Sequence, residues 1–337
     1  MVSATRVTIG GLADRLGLSK ASVSYALNGQ PGVSDDTRRR VLDLADELGW
    51  HPSSSARALS RARSDAIGIV LRRDPGLLGT EPYYMSLLAG VEAELAESGQ
   101  SLLLRMVGPS NGQDLAAYRR WSAERRVDGV MLFDIAIGDQ RPALLDELGL
   151  AFVLHGNDEE IAPGRVLLYD ASGDAGLLVD HLHGLGHRRI LHIQGPSEFE
   201  HERDRARAIA RFASGLGIQA ASEPSDYSME AGERIAAAHA GDPELSAIVT
   251  SNDLLALGAQ AALSRRGRDD VALVSWDDSL VCRIASRPLT ALARFPEEQG
   301  RRSTRMLLDE LAGVETPTRR ARPSELIVRS TSVPARA

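Results

Sequence analysis

Several side chains in this 337-residue chain have types and spacings that invite chemistry. Asp277 and Asp278 stand side by side after an apolar run, and His181, His183, His187 and His192 crowd one short stretch. Paired carboxylates can share a proton or activate water. The histidines, however, lack the companion spacing of metal ligands, and GLGH at 184–187 is no nucleophile elbow. Neither GxxxxGK[ST] nor a strand-linked GxGxxG occurs, so nucleotide hydrolysis has no cradle. The expectation is a protein that is not an enzyme, with no cofactor and no metal. The same residue types serve binding: carboxylate, amide and guanidinium groups grip hydroxyls, and an aromatic ring covers a C–H face. Tyr83-Tyr84, just after Pro82, could supply that face, with Tyr227 and His155 as weaker candidates.

A second kind of chemistry starts at the N-terminus. Residues 7–28, VTIGGLADRLGLSKASVSYALN, form two short amphipathic segments joined by Leu16-Gly17-Leu18, the layout of a helix-turn-helix. Ile9, Leu12, Ala13 and Leu16 repeat at helical spacing behind Thr8, a reasonable N-cap. Behind Ser19, Val23, Ala26 and Leu27 turn inward, which leaves Lys20, Ala21, Ser22, Ser24, Tyr25 and Asn28 as candidate DNA contacts. Lys20 is the only lysine among 39 basic residues. A third helix starts at Ser34, carries Val41, Leu44 and Leu48 on one side, and stops at Gly49.

Charge and composition agree with that division. The net charge is −7, yet the first 64 residues hold nine basic and six acidic residues, a head of +3 on a body of −10. A basic head on an acidic body holds phosphates at one end and repels them elsewhere. One cysteine, Cys282, excludes a disulfide framework. No apolar run is long enough to cross a bilayer, and the start lacks the layout of a secretory signal, so no membrane contact and a cytoplasmic, nucleoid-associated location are expected. Three segments are expected: a headpiece at 1–50, a hinge helix and linker at 51–64, and a body at 65–337. The stretch from His51 to Ser60 opens with Pro52, suited to a helix start, but is too short to be stable alone.

These residues resemble the headpiece of the lactose-repressor (LacI/GalR) family of bacterial transcription regulators. The resemblance is carried by "VT...LA..LG.S..SVS.ALN", by "VS..TR..V...A..LGW.P", and by a hinge ending in Ala56-Arg57-Ala58-Leu59. It implies that Lys20, Ala21 and Tyr25 face bases in the major groove, while Thr8, Ser19, Ser22, Ser24, Ser34 and Thr37 sit near phosphates. It also implies that the hinge, with Ala56 and Leu59, enters the minor groove, Leu59 as an apolar wedge. The chain departs from the family at Gly11, where an acidic residue is usual, and at Tyr25, where many members carry arginine.

Past Ser64 the sequence alternates strands with helices. Candidate strands are 66–71, 101–107, 128–133, 151–155, 189–194, 246–250 and 271–275, with helices such as 84–98 and 175–185. The fold class expected is α/β: a helix-turn-helix headpiece and hinge helix, then a body of two subdomains with parallel sheets and a cleft between them. HLHGLGHRRILHIQGP, SNDLLALGA, SWDDS and RPLTAL extend the resemblance to the family's periplasmic-binding-protein-like effector domain. By that resemblance Asn252 and Asp277 meet hydroxyls of an effector, and Arg205 is the cleft arginine, with Arg207 as a rival. One of Asn252 and Asp253 is also expected to cap the following helix.

The expectation is a homodimeric repressor that reads a palindromic operator under control of a small-molecule effector, a sugar or sugar derivative. The last strand, LIVRS, is followed by no leucine heptad, which favours a dimer over a tethered tetramer. The alternative is a cytoplasmic sugar-binding or architectural protein whose head holds DNA without sequence preference.

Overall fold

The computed structural model describes residues 8–50, 63–73, 79, 81–108, 112–314 and 319–335. The chain divides into two compact units, Met1–Asp65 and Ala66–Ala337. The hinge residues Ala56 and Leu59 lie outside the described residues.

Among its described residues the head has three helices, α1 (Ile9–Leu16), α2 (Lys20–Leu27) and α3 (Asp35–Glu47). Each is started by its own hydroxyl: Thr8 accepts from Gly11 N, Ser19 from Ser22 N and Ser34 from Thr37 N, at 3.2, 3.0 and 3.2 Å. Gly17, at φ 64°, ends α1 in the left-handed conformation that glycine takes without steric cost. Leu12, Ala13, Val23, Ala26, Val41 and Ala45 form the core, with Trp50 packed on its edge. Leu44 and Leu48 also reach it, although Ala45 rather than Leu44 is the residue fully enclosed.

The body alternates strand and helix in two lobes. Its first lobe takes β1 (Ala66–Arg72), α4 (Pro82–Ser98), β2 (Ser101–Val107), α5 (Gln113–Ala123), β3 (Gly129–Leu132), α6 (Arg141–Leu148), β4 (Ala151–Gly156) and β5 (Val166–Leu168). The chain then forms the second lobe from α7 (Ala171–Gly184), β6 (Arg189–Gln194), α8 (Glu200–Gly215), β7 (Gln219–Pro224), α9 (Met229–His239), β8 (Ala247–Thr250), α10 (Asp253–Arg265), β9 (Ala272–Ser275), α11 (Leu280–Ile284) and β10 (Thr290–Ala293). It returns to the first lobe for α12 (Pro296–Leu311) and β11 (Arg319–Arg320), and ends on the second with β12 (Glu325–Ile327).

The first sheet has strand order β11-β5-β4-β3-β1-β2 and is parallel throughout. The second runs β12-β10-β9-β8-β6-β7, with β12 alone antiparallel, on β10. Helices cover both faces, which is why β3, β8 and β9 are buried along their whole length. Ile67, Ile69 and Leu71 of β1 face α4 and α12, whereas Val70 points to the opposite side with Trp121. In each lobe two helices cross at paired glycines, Gly90 with Gly300 and Gly232 with Gly258. A methyl built on Gly90 would lie 1.9 Å from the carbonyl oxygen of Glu297, and one on Gly300 2.1 Å from that of Leu87.

The seven strands expected from 66 to 275 are present to within a residue or so at their ends, whereas the last one, LIVRS, is a strand only as far as Ile327. The short strands β5, β7 and β11 are additions that carry no apolar alternation of their own.

Candidate functional site

In the head, Ser19, Lys20, Ala21 and Tyr25 are exposed along one side of α2, and Ser22 and Ser24 are half-buried. The hydroxyls of Ser19 and Ser22 lie 2.9 Å apart, as do those of Ser34 and Thr37, so each pair retains one proton for an outside acceptor. Helix N-termini with free N–H groups favour phosphate, and Thr8, Ser19 and Ser34 mark three of them. The Lys20 stem lies back along α1: a methyl on Gly10 would sit 3.3 Å from Lys20 Cε. The Asn28 side chain donates to Ser24 O at 2.9 Å and closes the last turn of α2. Its amide is therefore engaged as a C-cap.

In the body, strand ends of both lobes converge on a cavity of about 670 Å3 counting its open mouth. Arg73 follows β1, Asp134 follows β3, Tyr169 follows β5, Asp277 follows β9 and Arg294 follows β10. This is the position where open α/β sheets hold ligands. Arg73 reaches from the first lobe between Tyr84, Phe199 and Tyr227, 5.4, 5.0 and 4.9 Å from the three ring centres. It pairs with Asp134 at 3.0 Å, and Asp134 also accepts from the Tyr84 hydroxyl at 2.6 Å. Burial alone would raise the Asp134 carboxyl, but Arg73 holds it below the ordinary carboxylate range. Burial pushes Glu81, less closely paired to Arg73, up to about 7.

Across the cavity, Arg294 donates to Asp277 at 2.8 Å and lies over the Tyr83 ring at 4.8 Å. Arg205 donates to Glu202 at 2.7 Å and lies over Trp276 at 4.8 Å. Glu202 is fully buried and is held well below the ordinary range: burial opposes ionisation, but Arg205 and a hydrogen bond from His201 outweigh it.

The sequence-derived residues Tyr83, Tyr84, His155, Arg205, Tyr227, Asn252 and Asp277 all line this cavity. Arg205 is buried, whereas its rival Arg207 is exposed beside Asp204. The Asn252 oxygen caps α10 by accepting from Leu255 N at 2.8 Å, and its amide donates to Tyr227 O at 3.1 Å. Asn252 is thus the N-cap of the pair, and Asp253 instead binds the Ser279 hydroxyl. The acid pair splits: Asp277 faces the cavity, while Asp278 turns away to Arg329 at 2.8 Å. The Tyr83 and Tyr84 rings are present, but each has a guanidinium over one face. Arg73, Glu81, Asp134, His201 and Arg294 were not anticipated from sequence. For Arg73, Asp134 and Arg294 the available signal was a charged residue directly beyond a strand. Among the described residues no cluster of His, Cys, Asp and Glu is placed to hold a metal ion.

Residues 8–53 match the family described as bacterial regulatory proteins, lacI family, and residues 179–332 a periplasmic binding protein-like domain. The chain is 30% identical to the HTH-type transcriptional regulator CelR of Thermobifida fusca, across 96% of this chain and 98% of that protein. The chain belongs to the LacI family. Another LacI-type relative, the transcriptional regulator AglR of Rhizobium meliloti, is 30% identical over 98% of this chain and 95% of its own length. The structure of a CelR–cellobiose complex covers 97% of this chain and 100% of that one at 28% identity, with TM-score 0.71. The lac repressor dimer bound to operator and an anti-inducer shares the fold, with TM-score 0.84 at 23% identity over 98% of this chain and 100% of that one. Among the described residues no helix is long and apolar enough to cross a membrane.

Two buried histidines of this LacI-type body contribute to its acid response. His155, bonded to Ser303, and His192, held between Ser222 and Ser251, are lowered to about 3 and about 4, chiefly by burial. Below the unfolded value of 6.5 the unfolded chain takes up protons that these rings refuse, so their contribution to stability falls as pH drops. From pH 7 to 5, His192 is expected to cost about 2 kcal/mol. Urea midpoints at both pH values should show His192→Gln losing correspondingly less than the parent. An equal loss would remove His192 from the acid response.

Proposed function

We propose that the protein is a homodimeric, sequence-specific transcriptional repressor whose affinity for a palindromic operator is set by a sugar or sugar derivative in the body cleft. One observation carries the reading: similarity to CelR runs through both the helix-turn-helix head and the two-lobed body. In this reading residues 1–50 read DNA, 51–64 are the hinge, and 65–337 bind effector and dimerise. The protein works in the cytoplasm at the nucleoid and is not an enzyme.

In the head, Lys20, Ala21 and Tyr25 meet bases, Thr8, Ser19, Ser22, Ser24, Ser34 and Thr37 meet phosphates, and Asn28 supports the end of the reading helix. Ala56 and Leu59 of the hinge meet the minor groove. In the body, Tyr83, Tyr84, His155, Arg205, Tyr227, Asn252 and Asp277 surround the effector, and Arg205 is supported as the cleft arginine by its burial. A ligand that prefers one closure of the two lobes changes operator affinity by as much as operator changes ligand affinity. Cellobiose, present in the CelR complex, belongs in the first ligand panel.

Footprinting upstream of the gene and its neighbours tests this. Protection of one palindrome, altered by a sugar, is the expected result; weak uniform binding that vanishes with salt favours the architectural reading. Lys20→Ala should weaken binding by about 1–3 kcal/mol and relax base preference at one operator position. A loss equal for all sequences would make Lys20 a phosphate contact. Leu59→Ala should reduce specific binding well beyond nonspecific binding, and an equal reduction of both would remove the wedge.

A further inference from the structure

Unmet hydrogen-bonding capacity gathers in the body cleft. Arg73 Nε, Glu81 Oε2 and Arg205 Nε are buried there without a hydrogen-bond partner. Arg73 Nε stands 3.4 Å from Glu81 Oε2, close enough to attract but not aligned to bond. A single hydroxyl set beside the pair could accept from the first and donate to the second, which neither an ammonium group nor a carboxylate can do.

The charges narrow the ligand further. Every guanidinium of the cleft already faces a carboxylate: Asp134 on Arg73, Glu202 on Arg205 and Asp277 on Arg294, all within 3.0 Å. Glu81 and Asp253 line the same cavity in addition. The acids therefore exceed the bases. An acidic ligand would have to break one of these pairs and bring another negative charge into a site of low dielectric, where an unpaired charge is costly.

We propose that this cleft selects an uncharged polyol over acidic or phosphorylated sugars, and that Arg73 and Glu81 form the donor–acceptor pair that reads one of its hydroxyls. The inference rests on the effector reading of the cleft and adds two contacts from the first lobe.

Calorimetric titration of the full chain tests it, using neutral mono- and disaccharides, the matching uronic acids, sugar phosphates, and deoxy analogues of whichever neutral sugar binds. The neutral sugar should bind at least about tenfold more tightly than its uronate, and one deoxy analogue should lose about tenfold or more. In Arg73→Lys and in Glu81→Leu, affinity for the parent sugar should fall to that of this deoxy analogue, with no further loss on removing the hydroxyl. Asp134→Asn removes the nearer of the two carboxylates of Arg73 and should bring the uronate to within about tenfold of the neutral sugar. A uronate or phosphate that binds the parent protein best overturns this inference and leaves the sugar reading intact. Deoxy losses that persist in both variants overturn the role of Arg73 and Glu81. No binding by any sugar, with operator binding retained, overturns the sugar reading and this inference with it. Arg73→Lys retains the charge, so it remains informative should Glu81→Leu fail to fold.

Discussion

Glu202→Ala is expected to destabilise the body by about 3–5 kcal/mol, the cost of removing one partner from a buried ion pair. Glu202 is fully enclosed and serves four donors besides His201. Its Oε2 accepts from Gly195 N at 2.7 Å and from the Ser251 hydroxyl at 2.6 Å. Its Oε1 accepts from Arg205 at 2.7 Å and from the Tyr227 hydroxyl at 3.1 Å. Alanine leaves the Arg205 guanidinium buried with no counter-charge and the Gly195 N–H without its acceptor, while the Ser251 and Tyr227 hydroxyls keep only His192 and His201 as partners. Urea unfolding of the body, followed by tryptophan fluorescence, measures the loss. The double variant Glu202→Leu with Arg205→Met should recover much of it, since two apolar groups leave no charge stranded. A depressed carboxyl gives stability that is present above its unfolded value of 4.5 and is lost as pH falls towards the folded value. The gap between parent and Glu202→Ala should therefore narrow in acid. A loss below about 1 kcal/mol at pH 7 would show the network to be dispensable.

Gly258→Ala is expected to cost about 3 kcal/mol or more, the upper range of overpacking, despite the better helix propensity of alanine. A methyl at Gly258 would lie 1.9 Å from the Met229 carbonyl oxygen and 2.7 Å from Glu233 N. Both are backbone atoms, so no rotamer change relieves the clash and α9 must move off α10. Gly215 near the end of α8 provides the control, because nothing lies within 4 Å of a methyl there. Gly215→Ala should leave stability unchanged or raise it by up to about 1 kcal/mol. Thermal unfolding that ranks the two variants equally would contradict the close crossing.

Much of this arrangement is legible in the sequence where local chemistry is strong. Thr8, Ser19 and Ser34 announce their helices because a hydroxyl before an amphipathic run has one favourable use, capping free N–H groups. The central strands announce themselves because burial on both faces demands runs such as AIVT. The edge strand β7, with sequence QAASEP, lies half in solvent and carries no apolar signal. Arg205 and Arg207 are two residues apart on α8, and successive residues turn by about 100°, so they face nearly opposite sides. Only the partner on the inner side, Glu202, settles which one is buried. Arg73 was missed for a related reason: its significance lies in rings at 84, 199 and 227, which only the tertiary fold brings around it.

The return of α12 and β11 to the first lobe bears on how the chain is made. Leu307 closes over Gly129, and α12 packs along α4, although the sequence supplies these partners only after the whole second lobe. During synthesis one side of the first sheet has α4 alone as its cover until residues near 311 have left the ribosome. From α7 to β10 the second lobe is continuous and can form earlier, as domains do when their residues emerge together. Each lobe is thus completed only by the C-terminal segment, the first by α12 and β11 and the second by β12. A truncation just before residue 296 would leave Leu71, Leu87 and Met131 open to solvent and prone to aggregate.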